Sequence, residues 1–209
     1  MTAGRLLAIG DIHGCRGRLI ELLAEVNPHS EDQLIFLGDY IDRGPDARGV
    51  IDELLDLRQR HPRSIFLKGN HEAMFREYLD GTDPFPFLLN GGAATLNSYQ
   101  QGGEVRIPPE HLDFLRELKL FHETDDFIFV HAGLRPGLPL AQQQEGDLLW
   151  IRSEFLDSDY DWGKTVVFGH TPLASPLLTE NRIGLDTGAG FGRVLTCCEV
   201  RSRRCWHSS

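Results

Sequence analysis

Short runs of leucine, isoleucine, valine and phenylalanine recur along the chain, and most of them end in glycine or in a polar residue. Segments such as LIFL and FIFV are too short for helices and are apolar at consecutive positions, as in interior strands of a sheet that is covered on both faces. We predict strands within residues 6–11, 33–39, 64–70, 127–133, 165–171, 182–188 and 193–200.

Apolar residues at helical spacing fill several of the gaps between these strands. In residues 16–26, Leu19, Leu22, Leu23 and Val26 form one stripe. The same spacing predicts further helices over residues 46–60, 71–80 and 109–121. Strands and helices therefore alternate in the first half of the chain, which predicts an α/β fold with at least partly parallel strands.

Residues 81–108 interrupt this alternation with a mixture of glycine, proline and aromatic residues. A connection of this length in a compact protein is often functional, and we expect a small rim or lid there. No repeat, low-complexity tract or linker divides the sequence. We therefore predict that residues 1–209 form a single domain.

The acidic composition limits the classes of partner. A formal net charge of -10 argues against broad adhesion to nucleic acid or to an anionic membrane surface. No apolar stretch approaches the roughly 18 residues of a membrane span, and no export signal is evident at the N-terminus. The four cysteines fit no zinc-ligand spacing, so we expect reduced thiols and a cytoplasmic protein. The oligomeric state is left open.

Polar side chains with metal-binding capacity follow five of the predicted strands. They are Asp11, Asp39, Asn70, His131 and His170, with His13 two positions beyond Asp11. A single aspartate after a strand is usually a turn former or a helix cap, and a single histidine is usually a surface residue. Ligands of open α/β sheets, however, gather outside the carboxyl ends of the strands. The recurrence of such residues at equivalent positions therefore predicts one shared site.

The donor types at these strand ends suit metal ions. Oxygen and imidazole donors without a thiolate are typical of manganese, iron or zinc sites. Two carboxylates, three imidazoles and one amide exceed the needs of one ion, and they suit two ions about 3.5–4 Å apart that share a bridging carboxylate. Two divalent ions would leave the pocket positive, so a phosphate group is a suitable substrate despite the acidic surroundings.

An ordered set of motifs resembles the PPP-type metallophosphoesterases, the phosphoprotein phosphatases that include compact bacterial and bacteriophage lambda-type enzymes. The motifs are GDIHG (10–14), GDYIDRG (38–44), GNHE (69–72), HAG (131–133) and GHT (169–171). The resemblance implies a β-sandwich flanked by helices, with a dimetal site at the carboxyl ends of the strands. The related symmetrical diadenosine tetraphosphate hydrolases share the GDIHGC segment.

The resemblance also implies a role for each matching residue. Asp11 and His13 would bind the first metal, Asp39 would bridge both metals, and Asn70, His131 and His170 would bind the second. His71 and Asp42 would form the acid pair, and Arg43 and Arg152 would hold the phosphate. The implied cofactors are two divalent ions, with manganese expected and iron or zinc as alternatives.

The function implied is that of a phosphomonoesterase. It would hydrolyse phosphoserine, phosphothreonine and aryl phosphates by direct attack of a hydroxide held by the two ions, with a phosphorylated protein or a small phosphoester as its partner. The alternative is a dinucleoside polyphosphate hydrolase that splits diadenosine tetraphosphate. A nuclease or cyclic phosphodiesterase is disfavoured, because Pro172 occupies the position where those enzymes usually have a second histidine.

Some of these residues also have structural interpretations. Arg43 and Asp42 could be loop caps, and Arg152 could hold the fold together instead of a substrate. Asp186, in LDTG, is interpreted as structural. Lys68 stands immediately before GNHE, where many protein phosphatases of the family have arginine, and lysine lacks the planar fork that grips a phosphate.

Overall fold

Two five-stranded sheets form the centre of the structure, a computed structural model that describes residues 4–208. The first sheet has the spatial order β12 (Arg204–His207), β11 (Thr196–Glu199), β1 (Leu6–Ile9), β2 (Gln33–Phe36) and β3 (Ile65–Phe66). The second has the order β6 (Phe121–Glu123), β7 (Phe127–Val130), β8 (Thr165–Phe168), β10 (Arg182–Gly184) and β9 (Leu177–Leu178). A separate hairpin pairs β4 (Gln100–Gln101) with β5 (Glu104–Val105).

Helices cover the outer faces of the sheets and fill the connections. They are α1 (Arg16–Val26), α2 (Ala47–Arg60), α3 (Asn70–Leu79), α4 (Phe85–Phe87), α5 (Ala93–Ser98), α6 (Pro109–Arg116), α7 (Glu145–Trp150) and α8 (Ser153–Leu156). Short 3₁₀ turns occur at Leu140–Gln142 and Ala189–Phe191, and a kinked π-helical turn, Leu88–Gly92, follows α4. Within residues 4–208, no helix combines the length and hydrophobicity needed to cross a bilayer.

The alternation of side chains along each central strand builds a layered core. On β1, Leu7 and Ile9 belong to the cluster that packs against α1 and α2, whereas Leu6 and Ala8 belong to the cluster between the two sheets. The second sheet repeats this arrangement, and its outer face forms a third cluster with α7 and α8. The strands are apolar on both faces because both faces are covered. The predicted β-sandwich flanked by helices is confirmed.

Parallel strands set the position of the site. In the first sheet β1, β2 and β3 are parallel neighbours, and in the second sheet β7, β8 and β10 are parallel neighbours. The carboxyl ends of parallel strands meet at one edge of a sheet. The loops that follow five of these strands therefore carry the sequence-predicted site residues to one region of the molecule.

The predicted helix over residues 109–121 is too long. Helix α6 ends at Arg116, and Lys119 exchanges backbone hydrogen bonds with the strand region at Phe66 and Lys68. The chain then forms β6 against β7. Backbone pairing with a distant strand thus overrides the local helical spacing. Strands β9 and β12 and helices α7 and α8 were not predicted from the sequence, because they are too short or too polar to show a periodic pattern.

Residues 81–108 contain α4, α5 and the β4–β5 hairpin. Phe87 is fully buried and its ring packs against Phe75 and Tyr78, with ring centroids 5.0 and 4.8 Å away. The segment is thereby attached to α3. A lid function of this segment and the single-domain organisation stay predictions.

An ion pair between half-buried Arg5 and buried Asp32 connects the beginning of the first sheet to its neighbouring elements. Asp32, whose exposed fraction is 3%, accepts hydrogen bonds from Arg5 Nη2 at 2.6 Å and from Arg5 Nε at 3.0 Å. The Arg5 guanidinium also donates to the carbonyl groups of Val26 and Asn27 at the end of α1. Burial of the Asp32 carboxyl acts to raise its pKa, but the hydrogen bonds from Arg5 and from the His29 backbone N–H outweigh burial, and the pKa is lowered.

We expect Asp32→Asn to lower the free energy of unfolding at pH 7 by about 1–3 kcal/mol, because it leaves a half-buried guanidinium without its charged acceptor. A carboxyl whose pKa is lowered by folding stabilises the protein above its unfolded pKa and loses that contribution as the pH falls through the folded value. The difference between wild type and variant should therefore shrink as the pH drops below about 4. Urea denaturation at a series of pH values measures this difference. The exposed Asp159→Asn is the matched control, and a difference that is independent of pH would contradict the assignment.

Candidate metal centre

Left-handed backbone is concentrated in the loops that carry the predicted site residues. Five of the seven non-glycine residues with positive φ among the described residues belong to the predicted set: His13, Asp39, Asp42, Arg43 and His170. Such conformations cost about 1–3 kcal/mol each and persist only where the surroundings hold them. The clustering therefore supports a functional site in these loops.

Two groups of potential metal ligands lie next to one another and share Asp39. The first contains His13, Asp39 and His71, and the second contains Asp39, His131 and His170. In each group, one ligand atom per residue lies within 4.8 Å of the others. Asp39 Oδ2 is 3.5 Å from His13 Nε2, and Asp39 Oδ1 is 3.5 Å from His131 Nε2. One carboxylate thus presents a different oxygen to each group, as a bridging ligand does.

Asn70 belongs geometrically to the second group. Its Oδ1 lies 2.9 Å from His131 Nε2 and 2.9 Å from His170 Nδ1. The other ring nitrogen of His131, Nδ1, lies 2.8 Å from the Leu37 carbonyl oxygen and must be the N–H donor there. In neutral His131, Nε2 then carries no proton, and its lone pair faces Asn70 Oδ1. Two acceptors facing each other are satisfied by a cation.

His13 shows the same arrangement in the first group. Its Nδ1 lies 2.9 Å from the Ile41 carbonyl oxygen, so Nε2 carries the lone pair and faces Asp39. A histidine that ligates a metal usually donates its second ring N–H to a carbonyl or carboxylate in this way. The donor set therefore fits two divalent cations, and its oxygen and nitrogen atoms suit manganese, iron or zinc.

Burial keeps these imidazoles neutral. Burial lowers the pKa of His13 to about 3 and that of His170 to about 3, and it also lowers the pKa of His131. Burial acts to raise the pKa of Asp39, but the surrounding histidines, His131 first among them, bring it below its ordinary value. At neutral pH the cluster thus offers neutral imidazoles and an ionised carboxylate, which are the protonation states that bind metals.

Asp11 lies beside the two groups but in neither of them. Its carboxylate accepts hydrogen bonds from the His170 backbone N–H at 3.0 and 3.2 Å. Burial, followed by the charges of Asp186 and Asp39, raises its pKa well above the ordinary value. Buried carboxylates in mutual repulsion are neutralised either by protonation or by a compensating cation. The first metal position predicted for Asp11 and His13 is therefore electrostatically reasonable, although the structure groups His13 with His71 instead.

Asp186 approaches this centre, although the sequence interpretation made it structural. It is buried, and its Oδ1 accepts a hydrogen bond from the Gly188 N–H at 2.9 Å. Its charge contributes to the raised pKa of Asp11. The signal in the sequence was its position directly after a strand, the same signal that identified Asp39.

The two predicted phosphate-binding arginines reach the centre from different directions. Half-buried Arg43 lies with Nη1 2.5 Å from His13 Nε2 and Nη2 3.0 Å from His71 Nε2. Exposed Arg152 donates from Nε to His170 Nε2 at 3.1 Å. One guanidinium therefore borders each ligand group. An anion bound between them would receive donors from both sides.

The two residues predicted as the acid pair, His71 and Asp42, are in contact. His71, in the first turn of α3, has its Nδ1 2.6 Å from Asp42 Oδ2. Burial acts to lower the pKa of His71, but the nearby carboxylates of Asp39 and Asp42 outweigh it, and the pKa is raised. The other oxygen of Asp42, Oδ1, accepts a hydrogen bond from Thr95 Oγ1 at 2.6 Å. No feature of the local sequence distinguished Thr95.

Glu72 organises the Asp39 loop and was not assigned a role from the sequence. Its carboxylate accepts backbone N–H bonds from Asp39 at 3.0 Å, Tyr40 at 2.8 Å and Gly69 at 2.9 Å. Its position three residues after Gly69, where a capping box has its glutamate, was the available signal. Glu72 thereby holds the loop that presents Asp39 against the beginning of α3.

Lys68 forms an ion pair with α7. Its Nζ lies 3.1 Å from Glu145 Oε1. The lysine that stands here in place of the usual arginine thus pairs with a carboxylate from the second half of the chain.

Known proteins similar to this chain are phosphoesterases. The family model of calcineurin-like phosphoesterases matches residues 4–191. The chain is 31% identical to serine/threonine-protein phosphatase 1 of Salmonella typhimurium, with 92% of this chain and 90% of that protein covered. It is 27% identical to the asymmetrical bis(5'-nucleosyl)-tetraphosphatase PrpE of Anoxybacillus flavithermus, with 90% of this chain and 87% of that protein covered.

A solved structure has the same fold over nearly the whole chain. It is a crystal structure of a protein provisionally named a diadenosine tetraphosphatase, with a TM-score of 0.77 and 25% identity, and the match covers 99% of this chain and 93% of that one. The motif resemblance, the layered sheets and the paired ligand groups agree with these relatives. The chain belongs to the calcineurin-like phosphoesterases and, within them, to the PPP-type phosphoric ester hydrolases.

Proposed function

We propose that this protein is a metal-dependent phosphomonoesterase that acts on phosphoserine and phosphothreonine, and also on aryl phosphates. The observation that carries the proposal is the shared carboxylate of Asp39, which faces two groups of buried ligands. Arg43 and Arg152 border these groups, and the Asp42–His71 pair adjoins one of them. Metal ligands, anion-binding groups and a proton donor are together the equipment for phosphate ester hydrolysis.

Two divalent ions would be held by the ligands that the sequence predicts: Asp11, His13, Asp39, Asn70, His131 and His170. When bound, such ions supply Lewis acidity to the phosphoryl group and lower the pKa of water. We propose manganese, with iron or zinc as alternatives that the same donors accept. We also propose the cytoplasm as the compartment.

The remaining residues bind the substrate and move a proton. The guanidinium groups of Arg43 and Arg152 offer paired N–H donors to the phosphoryl oxygens and hold the group in line for attack. His71 donates a proton to the departing oxygen, and Asp42 orients its ring through the 2.6 Å contact at Nδ1. Charge that develops on the phosphoryl oxygens is stabilised by the same two arginines.

The acid pair favours an ester with a basic leaving group. The alkoxide of serine or threonine is far more basic than a nucleotide phosphate, so its departure depends on protonation. A buried histidine held by a carboxylate is suited to supply that proton. The relative of Salmonella typhimurium, named a serine/threonine-protein phosphatase, also supports this substrate class.

The second candidate is the hydrolysis of dinucleoside polyphosphates such as diadenosine tetraphosphate. The similarity to PrpE enzymes supports it, and so do two exposed aromatic rings at the border of the site. Phe191 is 59% exposed and lies 4.6 Å from the Arg43 guanidinium, and Trp150 is 46% exposed and lies 6.0 Å from the His170 ring. An exposed aromatic face can stack on a nucleobase, which is worth about 1–3 kcal/mol per base.

A substrate comparison tests the proposal. With manganese supplied, kcat/KM is measured for a phosphoserine peptide, para-nitrophenyl phosphate and diadenosine tetraphosphate under one condition. We expect the phosphopeptide to be hydrolysed with the higher kcat/KM of the two biological substrates. A higher value for diadenosine tetraphosphate would establish the second candidate instead, and no hydrolysis of any ester by the metal-loaded protein would refute both.

We expect Asp39→Asn to abolish hydrolysis and to lower the metal content below two ions per chain. The amide carries no negative charge and one fewer oxygen with which to serve both groups. Elemental analysis after gel filtration measures the stoichiometry, and Asp125→Asn, at an exposed position, is the control. A variant that retains two ions would contradict the bridging role.

We expect His71→Asn to lower kcat by roughly 10²–10⁴-fold for phosphoserine peptides, because the leaving alkoxide then departs without general acid assistance. The loss should be much smaller for para-nitrophenyl phosphate, whose leaving group is weakly basic. Metal content should stay unchanged. Steady-state kinetics on both esters measure the contrast, and equal losses would remove His71 from the acid role.

A further inference from the structure

The hydroxyl of Thr95 makes two hydrogen bonds to Asp42. Thr95 lies in α5 and is fully buried. Its Oγ1 accepts the backbone N–H of Asp42 at 2.8 Å and donates to Asp42 Oδ1 at 2.6 Å. A hydroxyl has a single proton, and the N–H already occupies its acceptor side. The proton of Thr95 is therefore committed to the carboxylate.

These two bonds fix both the backbone and the side chain of Asp42. The φ angle of Asp42 is 69°, a left-handed conformation that a residue with a Cβ adopts only where contacts hold it. Thr95 supplies such a contact from a position 53 residues away in the sequence. With Oδ1 held by Thr95, the second oxygen, Oδ2, is directed at His71 Nδ1, 2.6 Å away.

The orientation of His71 follows from that of Asp42. The Asp42 carboxylate accepts the proton on Nδ1, so Nε2 is the nitrogen that faces the centre. Arg43 Nη2 lies 3.0 Å from this Nε2, and Asp39 Oδ2 lies 3.8 Å from it. A rotation of the Asp42 carboxylate would release the ring and move Nε2 away from the leaving oxygen.

We propose that Thr95 is a positioning residue for the reaction: it locks Asp42 so that His71 presents Nε2 to the leaving group. This inference rests on the phosphomonoesterase function proposed above. A second contact from the same segment supports it, because the Arg43 N–H donates to the Gly91 carbonyl at 3.3 Å. Residues 81–108 therefore hold both Asp42 and Arg43 from outside the alternating strands and helices.

The test compares leaving groups in hydroxyl-deletion variants. Thr95→Val keeps the shape of the side chain and removes the hydroxyl. We expect kcat for phenyl phosphate, whose leaving group is basic, to fall by roughly tenfold to a hundredfold, because small displacements of a catalytic group cost that much. For para-nitrophenyl phosphate we expect no more than about a threefold loss, and KM should change little for either ester.

Three further variants separate positioning from a general structural defect. Thr95→Ser restores the hydroxyl and should recover kcat to within about threefold of wild type. In a His71→Asn background, Thr95→Val should add no further loss, because Thr95 acts only through His71. Thr82→Val, an exposed change in the same segment, is the matched control. Circular dichroism verifies folding, and Thr95→Ala replaces the valine variant if that variant does not fold.

The outcomes are distinct. Equal losses on both esters, or a further loss in the His71→Asn background, would overturn the positioning role. Wild-type kinetics in a folded Thr95→Val or Thr95→Ala variant would overturn it as well. Failure of the proposed function has a different signature, since the metal-loaded wild-type protein would then hydrolyse neither ester.

Discussion

The site is built from buried carboxylates and imidazoles, and the side chains around them carry too little positive charge to balance the carboxylates. Asp11, Asp39 and Asp186 are buried near one another, and burial holds three neighbouring histidines neutral: His13, His131 and His170. Half-buried Arg43 contacts the imidazoles of His13 and His71, and exposed Arg152 contacts that of His170. Divalent cations would neutralise these carboxylates and bind the neutral imidazoles, so the burial that is unfavourable in a metal-free chain would favour metal binding.

Hydrogen bonds to backbone groups fix the positions of these buried side chains. The carbonyl groups of Leu37 and Ile41 set the ring orientations of His131 and His13, and the Glu72 carboxylate holds the amides of the Asp39 loop. Leu37 and Ile41 both lie in the loop between β2 and α2, and Glu72 lies in the first turn of α3. The loop after β2 of the first sheet therefore orients one ring from each sheet: His13, which follows β1, and His131, which follows β7.

The sequence predicted the parts of the site that follow central strands. Asp39 and His170 were identifiable because a polar residue directly after an apolar strand has a definite direction in an α/β sheet. Asn70 and His71 were identifiable because GNHE lies where β3 gives way to α3. For the same reason the central strands and the first three helices were predicted to within a few residues. The family resemblance added roles, because spacing alone does not distinguish a ligand from an acid.

The remaining features depend on contacts that local patterns do not encode. Thr95 meets Asp42 only after the chain has folded back over residues 81–108, and its own segment has no strand-end position. Residues 117–121 follow helical spacing, but backbone pairing at Lys119 gives them another conformation. Asp186 was interpreted as structural despite its strand-end position, and its proximity to Asp11 is evident only in the folded chain. In each case a contact with a distant part of the chain determines the conformation or the surroundings of the residue, and the local sequence pattern does not encode that contact.

The pairing of β1 with β11 also constrains how the molecule is made. Strand β1 lies in the middle of its sheet, and its antiparallel neighbour begins about 190 positions later, with Ile9 opposite Cys197. During synthesis the first sheet must therefore remain open at one side of β1 until β11 has left the ribosome. Such a large sequence separation slows the closing step of folding, and the exposed edge of β1 is then open to chaperones or to premature association with other strands.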